Sequence, residues 1–258
     1  MEIAEHITVI AQEAKLFAEA AEQGGLEVNI DTCPGWNMRD LVRHLSEIHL
    51  WAAAHVARRA TKMWVDDLAE LSESWPDLAL FWPNDADLID HYLQTNANLV
   101  RELESAPADV KAMTFLPAPS PLAMWARRQA HEISIHRFDA QNAAGATSGF
   151  DGALASDGID ELLTAFAPRA TTFPIENTKT MVVHATDTND RWHITMGPNG
   201  IAAFRGEGPA DVTLTGRAAD LYLTVWNRGD DSAIEVAGDR DLLETWHNKH
   251  RIRWSSSA

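Results

Sequence analysis

The chain has 258 residues, 45% hydrophobic and 23% charged, enough material for two ordinary domains with cores of their own. Lys and Arg total 21 against 38 Asp and Glu, a formal charge of -17 that repels phosphate backbones and anionic lipid headgroups and so argues against nucleic acid and membrane as partners. Cys33 is the single cysteine, which excludes an intramolecular disulfide and a thiolate-rich zinc site.

The first twenty residues carry Glu2, Glu5, Glu13 and Lys15 among their apolar positions, unlike a signal peptide, and no later stretch reads as a membrane span. A cytoplasmic protein is expected. A first helix is predicted over residues 2–22, where Ile3, Ile7, Ile10, Ala14, Phe17 and Ala21 form one apolar stripe before Gly24 and Gly25 stop it. A second begins after Cys33-Pro34-Gly35-Trp36. Asn37 is placed to cap it, Asp40 sits at the third helical position, and Leu41, Leu45, Ile48 and Ala52 carry the pattern on toward Arg59. A loop with Trp64, Trp75, Pro76, Trp82 and Pro83 leads to a third helix, with Asn84 as its expected cap and Leu88, Tyr92, Leu99 and Leu103 along it. The fourth opens on Ser120-Pro121, a cap followed by proline at the first helical position, and runs to Ala144 before Gly145.

Four helices joined by such loops predict a bundle over residues 1–148. After a small-residue linker ending at Gly149, the hydrophobic period changes and a smaller α/β domain is predicted over 149–258. A helix is expected over 157–166. Strand-like runs follow at 180–185, 191–196, 201–204 and 211–215, separated by Asp-, Asn- and Gly-rich turns that suit an antiparallel meander. Helices over 218–226 and 241–250 bracket a short strand at 234–236. The fold class read from this order is α+β in two domains.

Glu132 and His136 lie four apart on the fourth helix, so they share a face and can converge on one ion. His131 and His136 are five apart and point about 140° away from each other, so the two-histidine pattern of zinc proteases is absent. His44 lies on the apolar stripe of the second helix beside Leu41, Leu45 and Ile48, facing the bundle interior. Taken alone, the pattern favours an ordinary surface pair for Glu132 and His136 and a hydrogen-bonded core histidine for His44. Two imidazoles and a carboxylate drawn from different helices would leave a coordination position open, as a catalytic site requires. Zinc is the default ion, with iron, nickel and cobalt also suited.

Three runs resemble the mycothiol-dependent maleylpyruvate isomerase family: CPGWNMRDLVRHL over 33–45, RRQAHEISIHRFDA over 127–140 and ASDGIDEL over 155–162. The resemblance implies a DinB-like four-helix bundle followed by a sterol-carrier-like domain. It also implies a divalent metal held by His44, Glu132 and His136, with the thiol of mycothiol, a neutral sugar thiol of actinobacteria, as cosubstrate. Isomerisation of a small electrophile, or S-transfer to it, is the implied activity. Arg228, in the stretch Trp226-Asn-Arg-Gly, resembles a family arginine near cofactor or substrate, although the register is altered and a surface arginine after a helix end is the competing reading.

The alternatives are a non-catalytic metal or small-ligand binding protein and a thiol-independent metal hydrolase of the same fold. Gln129 and Asp139, each three residues from a proposed ligand on the fourth helix, are expected to be solvated polar residues. Cys33 is expected to be a small structural residue, and Trp51 and Trp125 core aromatics. The substrate pocket is expected from the loop over 61–83 and from the second domain.

Overall fold

A computed structural model of the chain describes residues 1–62 and 83–250. The predicted tryptophan-rich loop around Trp64, Trp75 and Trp82 lies outside the described residues. The chain divides into two compact units, Met1–Ser148 and Gly149–Ala258. Together they make an α+β fold, a helical bundle followed by a smaller domain with a mostly antiparallel sheet.

Four α-helices are described in the first unit: α1 (Ile3–Gly24), α2 (Met38–Ala57), α3 (Leu88–Ser105) and α4 (Pro121–Ala143). The caps explain their starts. Asn37 accepts from the Asp40 amide while the Asp40 carboxylate accepts from the Asn37 amide, closing a capping box on α2. The Ser120 hydroxyl accepts from the Ala123 amide, and Pro121 follows it at the head of α4. Asn84 makes no side-chain cap; a 3₁₀ turn over Asp85–Asp87 precedes α3 instead. Helix α1 packs along α4 and α3, and α2 along α3, around Phe17, Leu41, Leu45, Tyr92 and Ile133.

The loop between α1 and α2 is tied back onto the start of α2. The Met38 amide donates to Val28 O, Ile30 N to Trp36 O and Arg39 N to Leu26 O, each at 2.9–3.0 Å. Its tip carries Thr32 and Cys33 and is therefore fixed against the same helix that carries His44.

Helix α4 departs from the expected amphipathic pattern: every residue from Arg128 to Gln141 is buried, including Arg128, Gln129, Glu132, His136, Arg137 and Asp139. Gln129 and Asp139 are accordingly not solvated, being each 1% exposed. Periodicity missed this because a polar helix enclosed on all sides hides its charges in pairs rather than showing them to water.

In the second unit, Asp151 accepts from the Ala153 and Leu154 amides and starts α5 (Gly152–Asp160) five residues earlier than predicted, and the helix continues as a π-helical stretch over Glu161–Phe166. Strands β1 (Lys179–Ala185), β2 (Asp190–Gly197), β3 (Gly200–Arg205), β4 (Val212–Gly216) and β5 (Glu235–Gly238) form one sheet in the order β3-β2-β1-β4-β5. Helices α6 (Ala218–Val225) and α7 (Arg240–Lys249) complete the unit.

The first three strands form the expected antiparallel meander, but β4 lies parallel to β1 on its other side, with Met181 opposite Val212. The connection from β3 to β4 therefore crosses the sheet, and His193 on β2 donates through Nε2 to the Pro209 carbonyl on the way, at 3.0 Å. Gly208 permits that approach, since a Cβ there would lie 2.6 Å from the His193 ring.

Candidate metal centre

Two helices supply the centre. His44 stands two turns into α2, and Glu132 and His136 stand one turn apart in the middle of α4. The His44 Nε2 lies 3.1 Å and the His136 Nε2 3.5 Å from the same atom, Glu132 Oε1. The other carboxylate oxygen, Oε2, accepts from Arg128 Nη2 at 2.8 Å. The Arg128 guanidinium thus engages one oxygen of Glu132 and leaves the other facing both imidazoles.

These separations match a shared ion. With metal–nitrogen and metal–oxygen bonds near 2.0–2.2 Å, tetrahedral ligand atoms stand about 3.4 Å apart. The three ligand atoms all lie within 4.8 Å of one another, in a pocket where His44, Glu132 and His136 side chains are only 10%, 5% and 9% exposed. The donor set fits a divalent ion of the zinc type, and three protein ligands leave a position for a further one.

Charge in this pocket is controlled by burial and by pairing. Burial disfavours the ionised form of Glu132, yet hydrogen bonds from His136 and His44 and the nearby Arg128 charge outweigh it and hold the carboxyl well below its usual range. Burial likewise opposes charge on His136, but hydrogen bonds to Asp139, Cys33 and Glu132 raise its imidazole well above the ordinary value. His44 goes the other way: burial dominates, and the imidazole is pushed down toward its neutral form despite Glu132.

Other groups cluster here. Asp139 Oδ2 lies 2.8 Å from His136 Nδ1 and accepts from Cys33 Sγ at 3.6 Å, while Oδ1 accepts from Thr32 Oγ1 at 2.6 Å. Cys33, His136 and Asp139 thereby form a second group of metal-ligating type that shares His136 with the first. Trp36 packs against the His44 ring at 4.9 Å between centroids. Trp51 and Trp125 pack against each other and against His55, and Trp125 is fully buried. Arg228 lies in the second unit, in the turn after α6, where its Nη1 donates to the Trp226 carbonyl at 3.1 Å.

The structure brings together all three residues expected from the sequence, His44, Glu132 and His136. Thr32, Arg128 and the proximity of Cys33 are not among the sequence expectations. Arg128 carried a usable signal, standing four residues before Glu132 on one helix face. Thr32 and Cys33 carried none, because only the folded loop places them 106 or 107 residues away against α4.

Residues 8–141 match the mycothiol maleylpyruvate isomerase N-terminal domain, and residues 153–245 match the C-terminal domain of the same family. The chain belongs to the mycothiol maleylpyruvate isomerase family. The crystal structure of the mycothiol-dependent maleylpyruvate isomerase is similar to it at TM-score 0.62 and 14% sequence identity, over 92% of this chain and 93% of that one. The structure of a single-site mutant of that isomerase is similar to the same degree. This chain thus shares its fold with that isomerase at low identity over nearly the whole length of both. Comparison by sequence with curated proteins gives no match. Among the described residues, no helix is long and apolar enough to cross a membrane.

Proposed function

We propose that this chain is a metal-dependent enzyme that uses a low-molecular-weight thiol, mycothiol, for isomerisation of a small electrophile or S-transfer to it. One observation carries the reading: in a chain of this family, two imidazole nitrogens from α2 and α4 converge on one carboxylate oxygen at ligand-to-ligand spacing. His44, Glu132 and His136 are the proposed metal ligands, and zinc the proposed ion. When bound, such an ion supplies a Lewis acid that favours the thiolate form of a sulfur ligand.

The chain's own groups do the rest. His44 and His136 each turn one ring nitrogen toward Glu132, which presents one oxygen, and Arg128 keeps the second oxygen occupied. Burial around these side chains excludes water that would compete with a thiolate for the electrophile. A thiolate adds to the electrophilic carbon of a conjugated double bond as the π pair moves to the carbonyl. After rotation about the resulting single bond the pair returns, the carbon–sulfur bond breaks and the thiolate leaves, giving isomerisation. If the carbon–sulfur bond persists and a proton is taken up, the outcome is S-transfer. Arg228 is proposed as a contact to cosubstrate or substrate, on the likeness of its turn to the family pattern. The formal charge of -17 does not oppose a neutral polyol thiol.

The test uses the purified full chain with zinc, mycothiol and maleylpyruvate. About one zinc per chain and thiol-dependent conversion or consumption of the electrophile are expected, with Glu132→Gln weakening zinc by at least about 100-fold and abolishing turnover. A protein that binds no metal, or whose Glu132→Gln variant binds and turns over as before, ends the proposal. Turnover of an ester or amide without thiol, inhibited by thiol, favours the hydrolase instead.

A further inference from the structure

Asp139 has no place among the three proposed ligands, yet it is the most enclosed carboxylate of the group, its side chain showing no exposure to solvent. Its neighbours account for both oxygens. Oδ1 takes the Thr32 hydroxyl, and Oδ2 takes the Cys33 thiol and His136 Nδ1. Of the two ring nitrogens, Nδ1 makes the shorter contact to a carboxylate oxygen, at 2.8 Å, so in a neutral His136 it is the one that carries the proton and donates. That leaves Nε2, the atom 3.5 Å from Glu132 Oε1, as the ring nitrogen on the side of the other two ligand atoms, the one that would give up its proton to an ion.

We propose that Asp139 is a positioning residue of the centre, fixing the tautomer and ring orientation of His136, and that Thr32 and Cys33 lock Asp139 in turn. The proposal rests on the metal reading above and deepens it. His136 and Asp139 are three apart on one helix, a spacing that lets the carboxylate reach the ring from one turn further along α4. The helix alone does not fix the carboxylate's rotamer. That is the task of the loop over 26–37, which reaches across from α2 and supplies two donors from adjacent residues, Thr32 and Cys33, to the two oxygens. The same loop begins α2 and packs Trp36 against His44, so one short segment aligns ligands on both helices.

In this reading Cys33 is a hydrogen-bond donor, not a ligand, although its sulfur, His136 and Asp139 are near enough to one another to hold an ion themselves. Carboxylates that accept from a ligating histidine are worth about 10- to 100-fold in metal affinity.

The experiment is chelator-competition titration of the full chain with Zn²⁺, on the wild type and on Asp139→Asn, Thr32→Val and Cys33→Ser, alongside ¹⁵N-histidine spectra of the zinc-loaded wild type and visible spectra with Co²⁺ in its place. Expected are a loss of about 10- to 100-fold for Asp139→Asn, smaller losses for Thr32→Val and Cys33→Ser, metal on His136 Nε2 with a proton on Nδ1, and no thiolate charge-transfer band with Co²⁺. Wild-type affinity in Asp139→Asn overturns the inference while leaving the ligand set intact. Metal on Nδ1, or a thiolate band abolished by Cys33→Ser, overturns it without relying on any variant of Asp139 that fails to fold. A wild type that binds no zinc removes the metal reading and the inference with it.

Discussion

Both units carry ion pairs at the surface, such as Arg39 with Glu27 and Asp85 in the bundle, but the bundle also places several in its interior. Glu13 with Arg137 at 2.7 Å, Arg128 with Glu132 at 2.8 Å and His136 with Asp139 at 2.8 Å all lie inside, along the stretch of α4 from Arg128 to Gln141 that is buried at every residue. Among the described residues of the second unit, the ion pairs are partly open to water, with Lys179 between Asp211 and Asp239, and Arg205 between Asp160 and Asp190. Its buried core is mainly aliphatic and aromatic, with Trp192, Ile194, Leu214 and Trp246. Buried ion pairs add little net stability over apolar residues of the same size, because desolvation offsets their attraction. Several such pairs in one interior agree with the chemical role proposed for the bundle.

The sharpest way to test the contrast is to break a buried pair away from the proposed metal ligands. Arg137 donates to Glu13, to Gln141 and to Ser148, joining α1 to α4 and to the end of the bundle. Arg137→Met strands the Glu13 carboxylate, whose pKa burial already raises, and should cost about 3–5 kcal/mol in urea unfolding. Adding Glu13→Leu should recover most of that loss, since the paired deletion leaves no uncompensated charge. A double variant as unstable as the single one would show that the pair is a net source of stability.

A smaller effect is expected from the one strongly shifted histidine of the second unit. His250 stacks on Trp246 with ring centroids 4.0 Å apart, and burial lowers its pKa from 6.5 to about 4. Between those two values the unfolded chain binds a proton that the folded unit refuses, so His250 costs stability progressively as pH falls from 6.5 to 4. The full loss is at most about 3 kcal/mol. His250→Phe should keep the stacking and flatten the acid limb of the stability profile relative to wild type. A profile that does not change on substitution would contradict the assigned burial.

The least effect belongs to the surface of the sheet. Lys179→Ala removes a lysine shared between two part-exposed carboxylates and should leave the urea midpoint unchanged at both low and high salt. A salt-dependent drop would mean that the outer pairs of the second unit resemble the inner pairs of the first.

The caps of α2 and α4 were legible because they are local, whereas Asn84 makes no cap and Asp151 starts α5 earlier than predicted. Asn37 with Asp40, and Ser120 with Pro121, satisfy the amides of their own helices wherever the helices are placed. The strands were legible from their alternation, but the seat of β4 beside β1 was not, since nothing in the spacing between β3 and β4 says that the chain crosses the sheet past His193. At the centre, the shared face of Glu132 and His136 followed from four-residue spacing. The polar character of α4 misled for Gln129 and Asp139, because periodicity records which residues share a face and not what covers it.

What the sequence by itself determined is therefore the set of elements, the inward face of α2 that carries His44 and the one-turn pairing on α4, all consequences of helical and strand geometry over a few residues. The meeting of His44 with Glu132 across 88 positions, the grip of Arg128 on one carboxylate oxygen and the arrival of Thr32 and Cys33 at Asp139 were decided only by packing. The reason is physical: a local pattern fixes directions within one element, while ligand distances depend on how separate elements close around a shared interior.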